Sequence, residues 1–470
     1  MLTQGGMTVR CSLAPHLLFS AALLACVAEP PTPTSQAEDP GALAEESLAA
    51  STAGYRVEIV RTLPFVLDAR RWTIKLARIH RPDGGRTYVQ WIPADKPGPR
   101  PTVVTTGPYQ LVSWTGEALD ARWATYQPLA NGLYLDRDGP GFDGRAAIVA
   151  ERKTPLEVAE ESVPHLLNDF GSLTIFGRFY AGGSVRDDIA DMAAGMWFVA
   201  NQPEVDRARI GIWGGSWGGF LALYAAQQAD VGARPAVVSA MFPPSDFAAL
   251  VGHVQSRTGA AAQMLQPYLR RVYAATGGPP TQAGTNYRGL RATDLCATLP
   301  QTLVLHDEHD NLIPVQQTQA LAASCQVETL VWPRTGPIDT SVWTHGPLLD
   351  GPGPHAVALY SLTYLHLRMM RPDQPYLLEF YAPASLRTQL QELHDAQLAG
   401  RDVAYAVPRL YDLIDARVYL VDLSTCTSAG CSYERGYDVV GRMINEIWGP
   451  SSGAAAASSL PAGLSLEAQR

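Results

Sequence analysis

Residues 208–229 read ARIGIWGGSWGGFLALYAAQQA, and within them residues 214–219 hold four glycines, Ser216 and Trp217 between two apolar runs. The run before them is short and strand-like, and the run after them is helical. Flexible linkers do not sit between a strand and a helix. In the pattern Gly-x-Ser-x-Gly, formed here by Gly214, Gly215, Ser216, Trp217 and Gly218, small residues permit a strained strand-to-helix turn that lifts a serine hydroxyl above a sheet. The N-terminus of the following helix adds backbone N–H groups and a positive dipole end, which suit a developing oxyanion. Ser216 is therefore the candidate nucleophile.

Working outward, strands and helices alternate. SLTIFG, RIGIW, PAVVSAM, QTLVLH and VETLVW read as strands, and VRDDIADMAAGMWFVANQ, FLALYAAQQ, VQQTQALAASC and HAVALYSLTYLHLRMM read as helices. Such alternation implies a mostly parallel sheet with helices on both faces. Three more strand-like segments precede it, YRVEIV, RWTIKLARIH and RTYVQWIP. Residues 111–168 read as an insertion containing one helical stretch, PLEVAEESVPHLLNDF. Residues 243–293 form a long helical excursion where a lid is expected in such a fold.

A serine hydroxyl needs a base, and the base needs an acid that fixes its tautomer. In a fold of this kind the order along the chain is Ser, acid, His. Residues 303–317, LVLHDEHDNLIPVQQ, offer Asp307, Glu308 and Asp310 where a strand gives way to a loop. This stretch resembles the strand, His-Gly-x-x-Asp, apolar-Pro signature of α/β-hydrolases, and the match implies Asp310 as the acid. Asp307 stands where the signature has glycine and remains a competitor. Four histidines follow. His366 falls inside an apolar helix and His394 lies in the tail. His345, in WTHGP, and His355, in GPGPHAVAL, remain; His355 is preferred because it sits just ahead of the last sheet-covering helix.

Residues 178–220 resemble the catalytic domains of prolyl oligopeptidase-like enzymes, and they are also similar to the X-Pro dipeptidyl-peptidase and cocaine-esterase-like group. PTVVTTGPYQ, residues 101–110, resembles the strand and Pro-Tyr of the second group. The resemblance implies an oxyanion hole made by the Tyr109 hydroxyl and the Trp217 backbone N–H. It covers about residues 100–370. Two departures stand out: no stretch ahead of the core reads as a β-propeller, and the segment after Pro372 does not read as a β jelly roll.

The remaining segments set the context. The 470 residues are 46% hydrophobic and 17% charged with a net charge of −9, so no basic stripe suits a nucleic acid. Arg10 followed by LAPHLLFSAALLA reads as an export signal, too short to span a bilayer. Leu23, Leu24, Ala25 and Cys26 resemble a bacterial lipobox, which implies an acylated Cys26 and a lipoprotein at the cell envelope. The rival is cleavage after Ala28, giving a periplasmic or secreted protein. The expected organisation is a signal at 1–26, a tether at 27–54, an α/β-hydrolase domain at 55–371 with a lid at 243–293, a C-terminal α/β extension at 372–450 and a tail at 451–470. Within the extension, LRTQLQELHDAQLAG and GYDVVGRMINEIWG read as helices and ARVYLVDL as a strand.

Cys296, Cys325, Cys426 and Cys431 are disulfide candidates, since export permits bridges and the count is even. No Cys/His spacing resembles a zinc site, and neither a metal nor a cofactor is implied. The expected activity is an exported serine hydrolase acting on a small ester or peptide substrate, leaning to peptidase, with carboxylesterase as the alternative. A catalytically inactive binding protein on the same fold is the rival of another class.

Overall fold

The computed structural model describes residues 54–67, 70–107, 110–114, 119–126, 148–153, 155–177, 185–225, 234–257, 269, 272–273, 276–338, 356–372, 374–381, 383–401, 418–422 and 433–449. Its centre is a nine-stranded sheet. Three antiparallel strands lead in, β1 (Arg56–Leu67), β2 (Arg70–His80) and β3 (Arg86–Ile92). The rest of the sheet uses β4 (Arg100–Gly107), β8 (Gly171–Phe176), β9 (Val205–Gly215), β10 (Val237–Met241), β11 (Gln301–Asp307) and β12 (Glu328–Trp332). The order is β1-β2-β3-β8-β4-β9-β10-β11-β12, antiparallel as far as β8 and parallel from β8 onward. The nucleophile strand β9 thus lies near the middle, flanked by β4 and β10, where both faces must be covered.

Strand periodicity assigns the two faces. Ile210 and Ile212 of β9, Val238 and Ala240 of β10 and Val304 of β11 join one buried cluster with α3 (Val185–Ala200), α4 (Trp217–Ala225) and α5 (Phe247–Gln255). Leu321, from α6 (Gln316–Ser324), packs there too. Val237 and Met241 of β10 and Leu303 and Leu305 of β11 point the other way, toward α7 (Ala356–Met369). Gly211 allows this close approach, because a Cβ there would lie 2.5 Å from the Met369 methyl carbon. On that same face sit α8 (Pro383–Leu398) and α9 (Gly436–Trp448), through Leu386, Leu390, Val440 and Met443.

Outside the central sheet, the segment read as an insertion forms a small antiparallel sheet of β5 (Gln110–Trp114), β6 (Leu119–Tyr126) and β7 (Ile148–Lys153). Its expected single helix is two short ones, α1 (Pro155–Glu160) and α2 (Val163–Leu166). Pro164 explains the break, since proline lacks an N–H and is accommodated only in a first helical turn. The C-terminal segment contributes β13 (Tyr376–Tyr381), β14 (Val418–Asp422) and β15 (Tyr433–Arg435) as a third sheet. Of these, only β14 is expected from the sequence. The fold is that of an α/β-hydrolase. Residues 1–53 and 450–470, where the sequence leads one to expect a signal, an acylated Cys26, most of a tether and a tail, lie outside the described residues.

Candidate active site

β9 ends at Gly215, α4 begins at Trp217, and Ser216 forms the whole junction. Its φ is 55°, in the left-handed region that a residue with a Cβ rarely adopts. The turn is held on all sides. Ser216 N–H donates to the Met241 carbonyl at 2.8 Å, and Phe220 N–H donates to the Ser216 carbonyl at 3.0 Å, starting the helix ladder. Gly214 has to be glycine, because a Cβ there would lie 2.4 Å from the Gly218 carbonyl oxygen. Ser216 is 5% exposed.

Trp217 is the first residue of α4, so its N–H belongs to the first turn of the helix, whose N–H groups have no carbonyl four residues back within the helix to donate to. Its indole is buried against Phe220 and Phe247, with ring centroids 5.5 and 5.3 Å away. The indole N–H donates to Asp188 Oδ2 at 2.8 Å.

At the end of β11, two strands from β9, the acidic residues separate by environment. Asp307, 3% exposed, receives the Arg334 guanidinium on Oδ2 through Nε at 2.8 Å and Nη2 at 2.7 Å, while Oδ1 accepts His309 N–H at 2.7 Å. Burial raises the Asp307 pKa, and the Arg334 charge opposes that rise. Glu308 turns outward to Arg334 N–H and to the Arg401 guanidinium. Asp310, also 3% exposed, accepts Leu312 N–H at 3.1 Å and Ile313 N–H at 2.8 Å on Oδ1. His306 holds this loop from below, bonding the Thr318 hydroxyl at 2.8 Å and the Ile313 carbonyl at 2.7 Å.

A cavity of about 610 Å³ adjoins Asp310 and is walled by Ser245, Asp246, His253, Arg257 and Gln317 among others. Gln317 fastens the start of the 243–293 segment, its Oε1 accepting from Ser245 and Asp246 N–H. His253 lies 2.8 Å from the Asn311 carbonyl through Nε2, and its pKa is lowered chiefly by burial. Cys296 and Cys325 form a disulfide with Cα atoms 4.8 Å apart. Cys426 and Cys431 lie outside the described residues, as do Tyr109, His345 and His355; α7 begins at Ala356, immediately after His355.

His366 is fully buried and bonded to His165 and Tyr376, at 2.9 and 3.0 Å. Arg334 and Asp188 are the partners that sequence reasoning does not single out. Arg334 follows β12, whose Trp332 pairs with Asp307, so strand order was the signal available. Among the described residues no group of three or more His, Cys, Asp or Glu side chains is arranged to hold a metal ion, and no helix is long and apolar enough to cross a membrane.

Residues 182–336 match the model of the prolyl oligopeptidase family. No curated protein matches the chain by sequence. Among solved structures the chain is similar to acetyl xylan esterase 1 from Thermoanaerobacterium sp., with 15% identity over 60% of this chain and 84% of that one and a TM-score of 0.41. It is also similar to the acetyl xylan esterase from Paenibacillus sp. R4, with 18% identity, 59% and 82% coverage and a TM-score of 0.38. For the Pyrococcus horikoshii acylaminoacyl peptidase the identity is 13%, the coverage 60% and 43% and the TM-score 0.37, so this chain spans less than half of that peptidase. The family match contains both the Ser216 turn and the Asp310 loop, on a mostly parallel sheet that carries them at strand ends: the chain is a serine hydrolase of the α/β-hydrolase fold, similar over residues 182–336 to the prolyl oligopeptidase family.

Proposed function

We propose that the chain cleaves an ester or amide through an acyl-enzyme. Ser216 Oγ attacks the carbonyl carbon, its proton passes to His355, and the carbonyl electron pair moves onto oxygen. Trp217 N–H and the Tyr109 hydroxyl receive that oxyanion. Collapse expels the alcohol or amine, which takes the proton from His355, and water then repeats the sequence to release the acid. Asp310 orients the imidazole. The residues do this with no cofactor in any step.

The observation that carries this reading is the left-handed backbone of Ser216 at a strand-to-helix junction. A non-glycine residue stays in such a conformation only where its surroundings over-determine it, and such strain gathers at functional sites. The choice of Asp310 over Asp307 is supported by charge: Asp307 carries the Arg334 guanidinium on Oδ2, and Asp310 accepts the Leu312 and Ile313 backbone N–H groups on Oδ1. Peptidase is favoured over carboxylesterase by the family match. The 243–293 segment would shape the acyl or leaving-group pocket as a lid. Export and acylation of Cys26 would place the enzyme at the cell envelope, and Cys26→Ser should then release it from membranes or block processing.

Fluorophosphonate labelling tests the reaction class. The wild-type chain should take the label and Ser216→Ala should not, while remaining folded; full turnover in a folded Ser216→Ala protein would refute the mechanism. Parallel assays on p-nitrophenyl acyl esters and proline-containing arylamides separate esterase from peptidase. His355→Ala should lower kcat by several orders of magnitude and His345→Ala should mainly change KM by a modest factor. The reverse pattern would move the base to His345.

A further inference from the structure

Asp188 lies in the first turn of α3 and is 1% exposed, with its Oδ2 on the indole N–H of Trp217 at 2.8 Å. A buried carboxylate is unfavourable unless charge and hydrogen bonds compensate it. The α3 N-terminus offers part of that compensation, and the Trp217 indole a further part. Packing alone does not require the arrangement. The equally buried indoles of Trp72 and Trp91 have no hydrogen-bond partner among the described residues, so this fold accommodates a tryptophan without an acceptor. Trp213, on the nucleophile strand, is given a neutral hydroxyl, that of Ser361. The indole beside the nucleophile is given a buried acid.

Trp217 differs from those residues in its backbone. One end of the side chain is fixed by Asp188, the ring packs against Phe220 and Phe247, and the other end is the Cα that carries the first N–H of α4. Ring contacts alone tolerate rotation and sliding of an aromatic side chain. A charge-assisted hydrogen bond at the tip does not, because it weakens steeply with angle and distance. Fixing the tip therefore restrains the Cα from which the Ser216–Trp217 peptide is carried.

We propose that Asp188 is a positioning residue for the oxyanion site, holding Trp217 so that its backbone N–H points at the developing charge. The inference rests on the proposed role of the Trp217 N–H. It predicts a transition-state effect rather than a binding effect, since alignment of that donor matters most when the oxyanion forms.

The test uses the full chain and four variants: Asp188→Leu, Asp188→Asn, Trp217→Phe and the Asp188→Leu/Trp217→Phe pair. Each is first checked for folding by thermal melting, and kcat, KM and the rate of fluorophosphonate labelling are then measured. Asp188→Leu should lower kcat by roughly 10- to 100-fold, the scale of a small misplacement of catalytic groups, with KM within about twofold. Asp188→Asn keeps an acceptor oxygen and should recover most of that loss. Trp217→Phe removes the donor from the other side and should lower kcat comparably, and the double variant should be no worse than the poorer single one. If Asp188→Leu does not fold, the Trp217→Phe result decides alone. A labelled wild-type enzyme whose folded Asp188→Leu or Trp217→Phe variant keeps full kcat, or loses only KM, overturns the inference. So do losses that multiply independently in the double variant. A wild-type chain that takes no label at Ser216 overturns the serine mechanism and this inference with it.

Discussion

The backbone N–H of Ser216 donates to the carbonyl of Met241 at 2.8 Å, tying the nucleophile turn to the last residue of the neighbouring strand β10. Met241 is in register with Gly215, so the bond continues the β9–β10 pairing by one residue past the end of β9. The turn is thus an extension of the sheet and inherits its rigidity.

Strain at Ser216 should be measurable as stability. Ser216→Ala and Ser216→Gly both lose the hydroxyl, so the difference between them reports the backbone. Glycine relieves a left-handed penalty of about 1–2 kcal/mol and loses about 0.5–1 kcal/mol through its freer unfolded chain. Ser216→Gly should therefore unfold at higher denaturant than Ser216→Ala, by a net of about 0.5–1 kcal/mol, with both inactive. Gly214→Ala should do the opposite, costing about 1–3 kcal/mol by overpacking, because its Cβ meets backbone at Gly218. Gly215→Ala is the control: the atoms nearest its Cβ would be on the Met241 and Phe242 side chains, at 3.3 and 3.4 Å. Equal losses at both glycines would refute the close-approach account.

Arg334 should prove a structural partner of the acid loop. It joins Asp307 to Glu392 of the C-terminal segment, 3.1 Å away, with Asp307 and Arg334 side chains only 4% and 13% exposed. Arg334→Met leaves the Asp307 carboxylate buried without its cation and should cost about 3–5 kcal/mol. Asp307→Asn/Arg334→Met should recover part of that loss in chemical denaturation. In the same proteins Asp307→Asn should keep kcat where Asp310→Asn loses it, a comparison that assigns the triad acid directly.

These two cases mark how far the sequence could be read. The Ser216 turn is legible because its requirements are local: four small residues within six positions fix a backbone that few other sequences could follow. The parallel strands are legible for the same reason, as in RIGIW, where alternate residues face opposite helices. Asp307 and Asp310 are three residues apart in one acidic loop, and what separates them is Arg334, brought in by the pairing of β11 with β12. Asp188 is 29 residues from Trp217 in sequence, and a first-turn acid usually reads as a helix-dipole residue at the surface. β13 escaped notice because Tyr376–Tyr381 is parallel to β14, a pairing that leaves no hairpin signal.

The Cys296–Cys325 bridge should stabilise the cavity wall next to the acid loop. It joins the turn after Ala292–Leu295 to the end of α6, and Thr293 and Ser324 from those two segments both line the cavity beside Asp310. With a sequence separation of 29, the chain-entropy estimate for such a loop is about 3–4 kcal/mol. The Cys296→Ser/Cys325→Ser protein should lose about 2–4 kcal/mol in denaturant titration. Thiol counting in denaturant, before and after reduction, reports the bridge in the wild type. A free thiol at Cys296 in protein kept under oxidising conditions would contradict it.

Acid should unfold the chain through a pair of histidines that the mechanism does not use. His165 of α2 and His366 of α7 share a hydrogen bond at 2.9 Å, and His366 continues to the Tyr376 hydroxyl of β13 at 3.0 Å, so this buried chain joins three elements. Burial pushes His165 down to about 3 and holds His366 well below its ordinary value, with His165 adding to the second effect. Both are therefore neutral in the folded protein, and in the unfolded chain both titrate near 6.5. The sign follows from proton counting. Between pH 6.5 and about 3 the unfolded chain holds a proton on His165 that the folded chain lacks, so stability falls as pH falls. Above about pH 6.5 both states are neutral and the contribution is flat. Each histidine can supply a slope approaching about 1.4 kcal/mol per pH unit. Over about pH 5–6.5 most carboxylates are still ionised in both states, which isolates the imidazoles. His366→Gln keeps a donor and an acceptor toward His165 and Tyr376 but cannot titrate. Its stability, measured by urea denaturation across that window, should fall with a slope shallower than wild type by about one proton. Identical slopes would mean that His366 binds its proton equally in both states, and His366 would then have no part in acid unfolding.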